Sequence, residues 1–352
     1  MPGTHLRYEI ESESLTKISR ICVLCWGLIG DVFVRIPVIE ALRVRFPEAN
    51  IVAVVDPAAE VVLKNHPAVN EVYVFSRHKQ PWWRYVYRTV GCSHYLRRKN
   101  FDLSVNLYSG GSSPLISRII NARIRLGFDH TKALRKANNL LVPHPNLCTE
   151  WAKGFGSVLT PLGVAREQIR QGTTYHVAVT GKQFAANFLG QTAQQHVVIN
   201  LGARVAEKRW PVKAFVELAH HIQQQFQLLP VILTNPGMTE LTAEFERLYK
   251  HKGDYRIVPL SSLDDVAGVM AASPFVVTGD TSIMHLSFGL KCPTLVLFTF
   301  TRPDVVAPED CLHRYCFIPD SSQTDACGNP MGSAAIPVPL VREICRISEG
   351  IL

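Results

Sequence analysis

The chain has 352 residues, 47% of them apolar and 19% charged, with 37 Lys plus Arg against 29 Asp plus Glu for a formal net charge of +8. That balance excludes a disordered, collagenous or coiled-coil chain. The length exceeds what one ordinary hydrophobic core fills, so two domains of ~150 to 200 residues are expected.

In chain order, residues 21–26 (ICVLCW) form a short apolar run that ends at Gly27, and the apolar positions from Pro37 onward recur with helical period. The pattern reads as strand, glycine turn, helix. Residues 51–55, 72–75 and 103–107 read as three more buried strands. The second half restarts the same order. A strand at 197–201 runs into Gly202, a helix covers 215–226, strands follow at 230–234, 257–259 and 275–278, a helix runs from near Thr281 through Leu290, and a last strand lies at 295–298. Strands alternating with helices predict an α/β protein with two doubly wound parallel sheets. The polar stretch between residues 162 and 195 holds the join, giving domains 1–172 and 173–352. Ligands of such sheets lie at the carboxyl ends of the strands, so the expected site is a cleft between the halves.

The nine cysteines are scattered, which fits a reducing compartment rather than a disulfide scaffold. Cys22 and Cys25 sit in a buried strand and read as core, and Cys311, His313, Cys316 and Cys327 match no standard zinc spacing, so no metal is expected. The first 17 residues are polar with three glutamates, and no secretory signal is expected there. No apolar run reaches the ~18 residues of a membrane span. The expected location is the cytoplasm.

Three motifs follow strands. Gly27-Leu28-Ile29-Gly30-Asp31-Val32 lacks the third glycine of a dinucleotide fingerprint and the lysine of a P-loop. Asp31 at the mouth of the cleft reads either as a general base for a hydroxyl or as a cap for the first helical amides. The second motif runs from Asn200 through Gly202 to Lys208-Arg209-Trp210-Pro211. It reads as a diphosphate cradle or as a solvated basic loop. The third is Gly279-Asp280-Thr281-Ser282-Ile283-Met284-His285. Asp280 or Thr281 caps a helix there, whose positive end suits a phosphate, and His285 one turn in adds a donor or is an ordinary helix histidine.

A fourth feature is compositional. Residues 76–100 hold Arg77, Lys79, Arg84, Arg88, Arg97, Arg98 and Lys99 with no acid, interleaved with Trp82, Trp83, Tyr85, Tyr87 and Tyr95. Such a segment binds phosphorylated sugars or lipid headgroups, binds nucleic acid by stacking, or is a solvated helix.

On these residues the chain resembles the bacterial lipopolysaccharide heptosyltransferases of glycosyltransferase family 9. The resemblance rests on GDV followed by RIPVIEALRVRFPEANIVAVV, on NLGA followed by EKRWP, and on VVTGDTSIMHLSFGLKCPTLVLF, with looser matches at HPAVNEVYVF and RIRLGF. It implies a GT-B architecture, two Rossmann-like domains around a central cleft, with the acceptor on the first and the nucleotide sugar on the second. It implies inverting, metal-independent transfer of heptose from ADP-heptose to lipid A–Kdo, with no cofactor. By motif, Asp31 resembles the catalytic base, with Gly30 beside the acceptor, and Lys208 resembles the lysine that neutralises the diphosphate. Gly202, Asp280, Thr281, Ser282 and His285 resemble the donor segment, and Glu240 falls where a carboxylate meets the ribose. Arg77, Lys79, Arg84 and Arg88 are candidates for the anionic acceptor. The implied partners are a nucleotide-sugar donor, an anionic glycolipid and the inner face of the inner membrane, with no nucleic acid. The chain departs from the family at Ser282, where glycine is usual, at Phe300, where FGPT is usual, and at residues 26–29, where hydroxyls are usual. These departures keep two alternatives open: another NDP-sugar or acceptor on the same scaffold, or a non-catalytic nucleotide-sugar or lipid-binding module.

Overall fold

The structure is a computed structural model that describes residues 15 and 17–308, except 77–80, 109–112, 130, 145–154, 171, 191–194, 206–207 and 300, together with 313–317, 323–324 and 330–331. The chain divides into two units, Met1–Thr173 and Thr174–Leu352.

In the first unit, β1 (Arg20–Leu24), β2 (Asn50–Val55), β3 (Glu71–Val74), β4 (Leu103–Asn106), β5 (Ile124–Phe128) and β6 (Leu140–Val142) form one sheet. All its pairs are parallel and the order is β3-β2-β1-β4-β5-β6. The central strands are apolar almost end to end because helices cover both faces and leave no polar side. Ile21 of β1 lies opposite Ile51 on one side and Leu103 on the other. The strand order reverses between β1 and β4, which makes the carboxyl end of β1 the switch point where such sheets bind ligands. The helices are α1 (Ile29–Phe33), α2 (Ile36–Arg45), α3 (Glu60–Leu63), α4 (Trp82–Arg98), α5 (Ser113–Ile120) and α6 (Lys132–Ala137). Leu24, Trp26, Val52, Val54, Phe101 and Ile116 share one core cluster.

The second unit repeats the plan. After α7 (Val179–Leu189) come β7 (His196–Asn200), α8 (Val212–Phe226), β8 (Leu229–Leu233), α9 (Thr239–Tyr249), β9 (Arg256–Ile257) and α10 (Leu263–Ala271). Then follow β10 (Phe275–Gly279), α11 (Ser282–Leu290), β11 (Thr294–Phe298), α12 (Pro303–Val306) and β12 (His313–Phe317). The order β12-β11-β10-β7-β8-β9 is the first sheet's order again, so the switch point lies between β7 and β10. Val197, Ile199, Trp210, Phe215, Leu218 and Phe275 anchor its core.

The structure corrects the expected strands in three places. β5 and β6 were not expected, because Arg123 and Arg125 interrupt the apolar run and mark it as surface. In the fold the Arg125 guanidinium donates to the carbonyls of Ala137 at 2.8 Å and Ala122 at 2.9 Å. Residues 295–298 are not the last strand, since β12 pairs in parallel with β11 from Thr294↔His313 to Phe298↔Phe317. Its sequence HRYCF opens on two polar residues and carries no apolar run. β1 ends at Leu24, so Cys25 lies just past the strand, still fully buried, with its N–H donating to Val54 O at 2.9 Å. Among the described residues no helix is long and apolar enough to cross a membrane.

Candidate active site

Asp31 stands on α1, immediately after the turn that follows β1. Its Oδ2 accepts the backbone N–H of Leu28 at 2.7 Å, so it closes the helix start from the third helical position rather than from the cap itself. The side chain is half-exposed and Oδ1 has no partner among the described residues. The turn beneath it is held from two sides. The Gly27 N–H donates to the buried carboxylate of Asp56, at the end of β2, at 3.0 Å. The buried Arg35 guanidinium donates to Trp26 O. Gly27 has φ +139°, and a Cβ there would lie 2.6 Å from both Cβ and Oδ2 of Asp31. Only glycine permits that approach. Trp26 fills core, tilted on Phe75 at 6.2 Å and edge-on to Tyr108 at 6.4 Å, whereas Leu28 is exposed. Gly30 lies in the first turn of α1 beside Asp31.

In the second unit the loops after β7, β8 and β10 converge. Asn200, the last residue of β7, donates from Nδ2 to Thr278 Oγ1 at 2.9 Å, Gly202 O at 3.1 Å and Thr281 Oγ1 at 3.2 Å. A Cβ on Gly202 would meet Met238 Sδ at 2.0 Å, so a side chain there would require the Met238 side chain to move. Lys208 Nζ donates to Asp280 Oδ2 at 2.5 Å, and Thr301 Oγ1 donates to the same oxygen at 2.5 Å. Asp280 is 9% exposed and Lys208 half-buried, while Arg204 and Val205 of the same loop are exposed.

The cap of α11 is Thr281, whose Oγ1 accepts the Ile283 N–H at 3.1 Å. Asp280 is therefore not the cap; its carboxylate is turned to Lys208 and Thr301 instead. Ser282 opens the helix, and its amide has no intrahelical acceptor. Among the described residues, positive φ at a non-glycine occurs at Asn100, Asn121, Gln227 and Lys291, so Ser282 does not need the glycine that is usual in the family. His285 lies one turn in, half-buried, its ring edge-on to Phe288 at 6.2 Å. Glu240 is exposed in the first turn of α9. The second unit thus brings an ammonium and a helix amino terminus to the ends of β7 and β10, with His285 one turn into that helix and Glu240 on α9 after β8. That set suits an anion with a polyhydroxyl group beside it.

Arg84 and Arg88 are exposed on α4, whereas Arg77, Lys79 and Phe300 lie outside the described residues. So do Cys311, Cys327 and the side chains of His313 and Cys316. Among the described residues no three His, Cys, Asp or Glu come together as metal ligands. A groove of about 720 Å³ in the first unit, lined by Glu40, Arg43, Arg45, His66 and Arg170 among others, flanks the C-terminal half of α2 and not the β1 turn. Asn200 opens the second motif but had no role assigned from sequence, and Thr301 was not expected. The one polar residue at the end of the apolar run VVIN was the available signal for Asn200, and none pointed to Thr301.

The glycosyltransferase family 9 (heptosyltransferase) model matches residues 91–323, well over half of the chain. The chain belongs to glycosyltransferase family 9. As a family 9 member it is a sugar-transferring enzyme. Lys208 and the Asp280–His285 segment fall inside the matched span and Asp31 before it. The lipopolysaccharide core heptosyltransferase OpsX of Haemophilus influenzae is 19% identical over 321 residues, covering 88% of this chain and 87% of its own. The lipopolysaccharide heptosyltransferase 3 of Escherichia coli K12 is 22% identical over 280 residues, covering 77% and 80%. The structure of E. coli ADP-heptose LPS heptosyltransferase II matches with a TM-score of 0.77 at 18% identity, over 94% of this chain and 98% of its own. The E. coli heptosyltransferase WaaC with ADP matches with a TM-score of 0.75 at 18% identity, over 95% and 100%. These likenesses show the GT-B class of fold, two Rossmann-like parallel-sheet units.

Proposed function

We propose that this family 9 member transfers heptose from ADP-heptose to the inner core of lipopolysaccharide, on a lipid A–Kdo acceptor, with inversion at the anomeric carbon. The observation that carries the reading is the Lys208–Asp280 pair set against the uncapped Ser282 amide at the end of β10. A leaving diphosphate gains one negative charge, and a positioned ammonium with free helix amides stabilises that charge as it develops. Lys208, held by Asp280, and the amides at Thr281 and Ser282 take the diphosphate in this reading, with His285 as a further donor. Glu240 is assigned to the ribose and Gly202 to the close approach of backbone. No metal or cofactor is called for.

Asp31 is the base. The acceptor hydroxyl gives its proton to Asp31 as its oxygen bonds to the anomeric carbon, the bond from that carbon to the diphosphate oxygen breaks on the opposite face, and ADP leaves. General-base help of this kind is typically worth ~10² to 10⁴ in rate. The half-exposed carboxylate, with one oxygen fixed by Leu28 and the other without a partner, supports this role. Gly30, Arg77, Lys79, Arg84 and Arg88 are assigned to the anionic acceptor, which is met at the inner face of the inner membrane.

The test is turnover by the purified protein with ADP-heptose and a deacylated lipid A–Kdo acceptor. ADP release that depends on acceptor, with a product heavier by one heptosyl unit, supports the reading. Turnover of a UDP- or GDP-sugar in place of ADP-heptose would overturn the donor assignment. Tight donor binding with neither hydrolysis nor transfer would overturn the enzymatic one.

A further inference from the structure

Large apolar side chains on this protein's surface are not evenly spread. Of the exposed ones among the described residues, Trp83, Val86, Tyr87, Val90 and Tyr95 all stand on α4, while the others occur singly. Scattered single exposures are normal, whereas a cluster marks an interaction surface. Trp83, Val86, Tyr87 and Val90 are 54%, 49%, 80% and 61% exposed. Their spacing is i, i+3, i+4, i+7, which sets them in one ridge on a helix face about 10 Å long. The helix already has a different core side, since Thr89, Cys92, Ser93 and Leu96, with the same spacing, are buried. The ridge is therefore a second apolar face, which none of the described residues of its unit covers.

The charges around it have one sign. Arg84, Arg88, Arg97 and Arg98 are exposed on the same helix, and Arg84 lies over the Trp83 ring at 5.1 Å. No acid occurs in residues 76–100. The nearby carboxylate of Glu71 is already taken, accepting from Lys99 Nζ and Tyr95 Oη at 2.5 Å each. An apolar ridge on a helix whose charged side chains are all cations complements a surface that is oily within and anionic at its rim. Two valines at the centre of the ridge offer nothing to a nucleobase, which argues against single-stranded nucleic acid.

We propose that α4 docks this protein on an anionic lipid bilayer. Trp83, Val86, Tyr87 and Val90 enter the boundary between headgroups and acyl chains, and the four arginines lie at the level of the lipid phosphates. The helix lies in the membrane plane and does not cross it.

The test sediments the full chain with vesicles of phosphatidylcholine alone or mixed with phosphatidylglycerol. Binding rises with phosphatidylglycerol and falls as salt screens the arginines. Trp83→Ser/Tyr87→Ser and, separately, Val86→Ser/Val90→Ser each lower the partition coefficient by about tenfold or more. Both pairs keep the parent's melting temperature and its rate on a deacylated, soluble acceptor. Equal partition of parent and variants would overturn the proposal. So would a dimer that the same substitutions disperse without any vesicle binding, a stronger affinity for oligonucleotides than for vesicles, or a loss of rate on the soluble acceptor. Partition is read with no sugar donor present, so it stands or falls apart from the transferase reading.

Discussion

Lys208 Nζ lies 2.5 Å from Asp280 Oδ2, an ion pair that joins the loop after β7 to the end of β10 across 72 residues of chain. Asp280 is nearly enclosed, and among the described residues Thr301 is its one further side-chain donor. Removing the lysine leaves a carboxylate with half its partners. Lys208→Gln should therefore lower stability by about 1–3 kcal/mol and raise the KM for the nucleotide sugar. The double change Lys208→Gln/Asp280→Asn removes both charges and should recover much of the stability but none of the turnover. Denaturant unfolding and ADP release measure the two separately. Unchanged KM and kcat in Lys208→Gln would take the lysine out of the donor site.

Asp31→Asn tests the base. Its Oδ1 can still accept the Leu28 N–H, so the turn after β1 should keep its shape and the melting temperature should hold. An amide cannot take the acceptor proton, and turnover should fall by ~10² to 10⁴. Turnover within a few-fold of the parent would leave Asp31 as a helix-start residue only.

The donor side was partly legible because its parts are local. A strand running into Gly-Asp-Thr-Ser before a helical pattern fixes where a helix amino terminus must lie, and Thr281 caps it as that pattern implies. What was not legible is pairing at a distance. Nothing in the motif around Asp280 points to Lys208 or Thr301, because which residues meet depends on the sheet order and on the close approach that Gly202 and Gly279 permit. Gly279 shows this directly, since a Cβ there would come within 3.3 Å of Lys208 O. Likewise β5 escaped notice because Arg125 reads as surface until its carbonyl partners are seen.

Gly27 makes a third prediction. Its φ of +139° lies where side chains are strained, and its α-carbon faces the Asp31 carboxylate. Gly27→Ala should cost about 1–3 kcal/mol and displace the base, lowering kcat more than KM. Gly91→Ala is the control. Gly91 sits within α4 with nothing within 4 Å of a built Cβ. That change should raise stability by about 0.5–1 kcal/mol with kcat unaffected. Comparable losses in both variants would mean that glycine at 27 is not tied to the site.

The buried thiols predict an alkaline limit to stability. Burial pushes Cys25 from 9.0 up to about 11, with the Arg35 guanidinium partly opposing it. Burial likewise pushes Cys92 and Cys292 up to about 12, and Cys22 moves in the same direction. In the unfolded chain these thiols titrate near their ordinary value. Between pH 9 and pH 12 the unfolded state therefore binds fewer protons than the native one, and unfolding free energy falls as pH rises. Below pH 9 both states hold the protons and these groups contribute no slope. Denaturant unfolding at intervals from pH 7 to pH 11 should show a plateau and then a decline. Cys92→Ala/Cys292→Ala should decline less steeply than the parent over the same range, because other alkaline titrations are common to both proteins. Peptide mapping after brief alkylation at pH 8 adds a second readout, in which Cys22, Cys25, Cys92 and Cys292 stay unmodified until denaturant is added. Parallel slopes in parent and variant, or labelling of Cys25 in the native protein at the rate of a free thiol, would contradict the burial that sets these values.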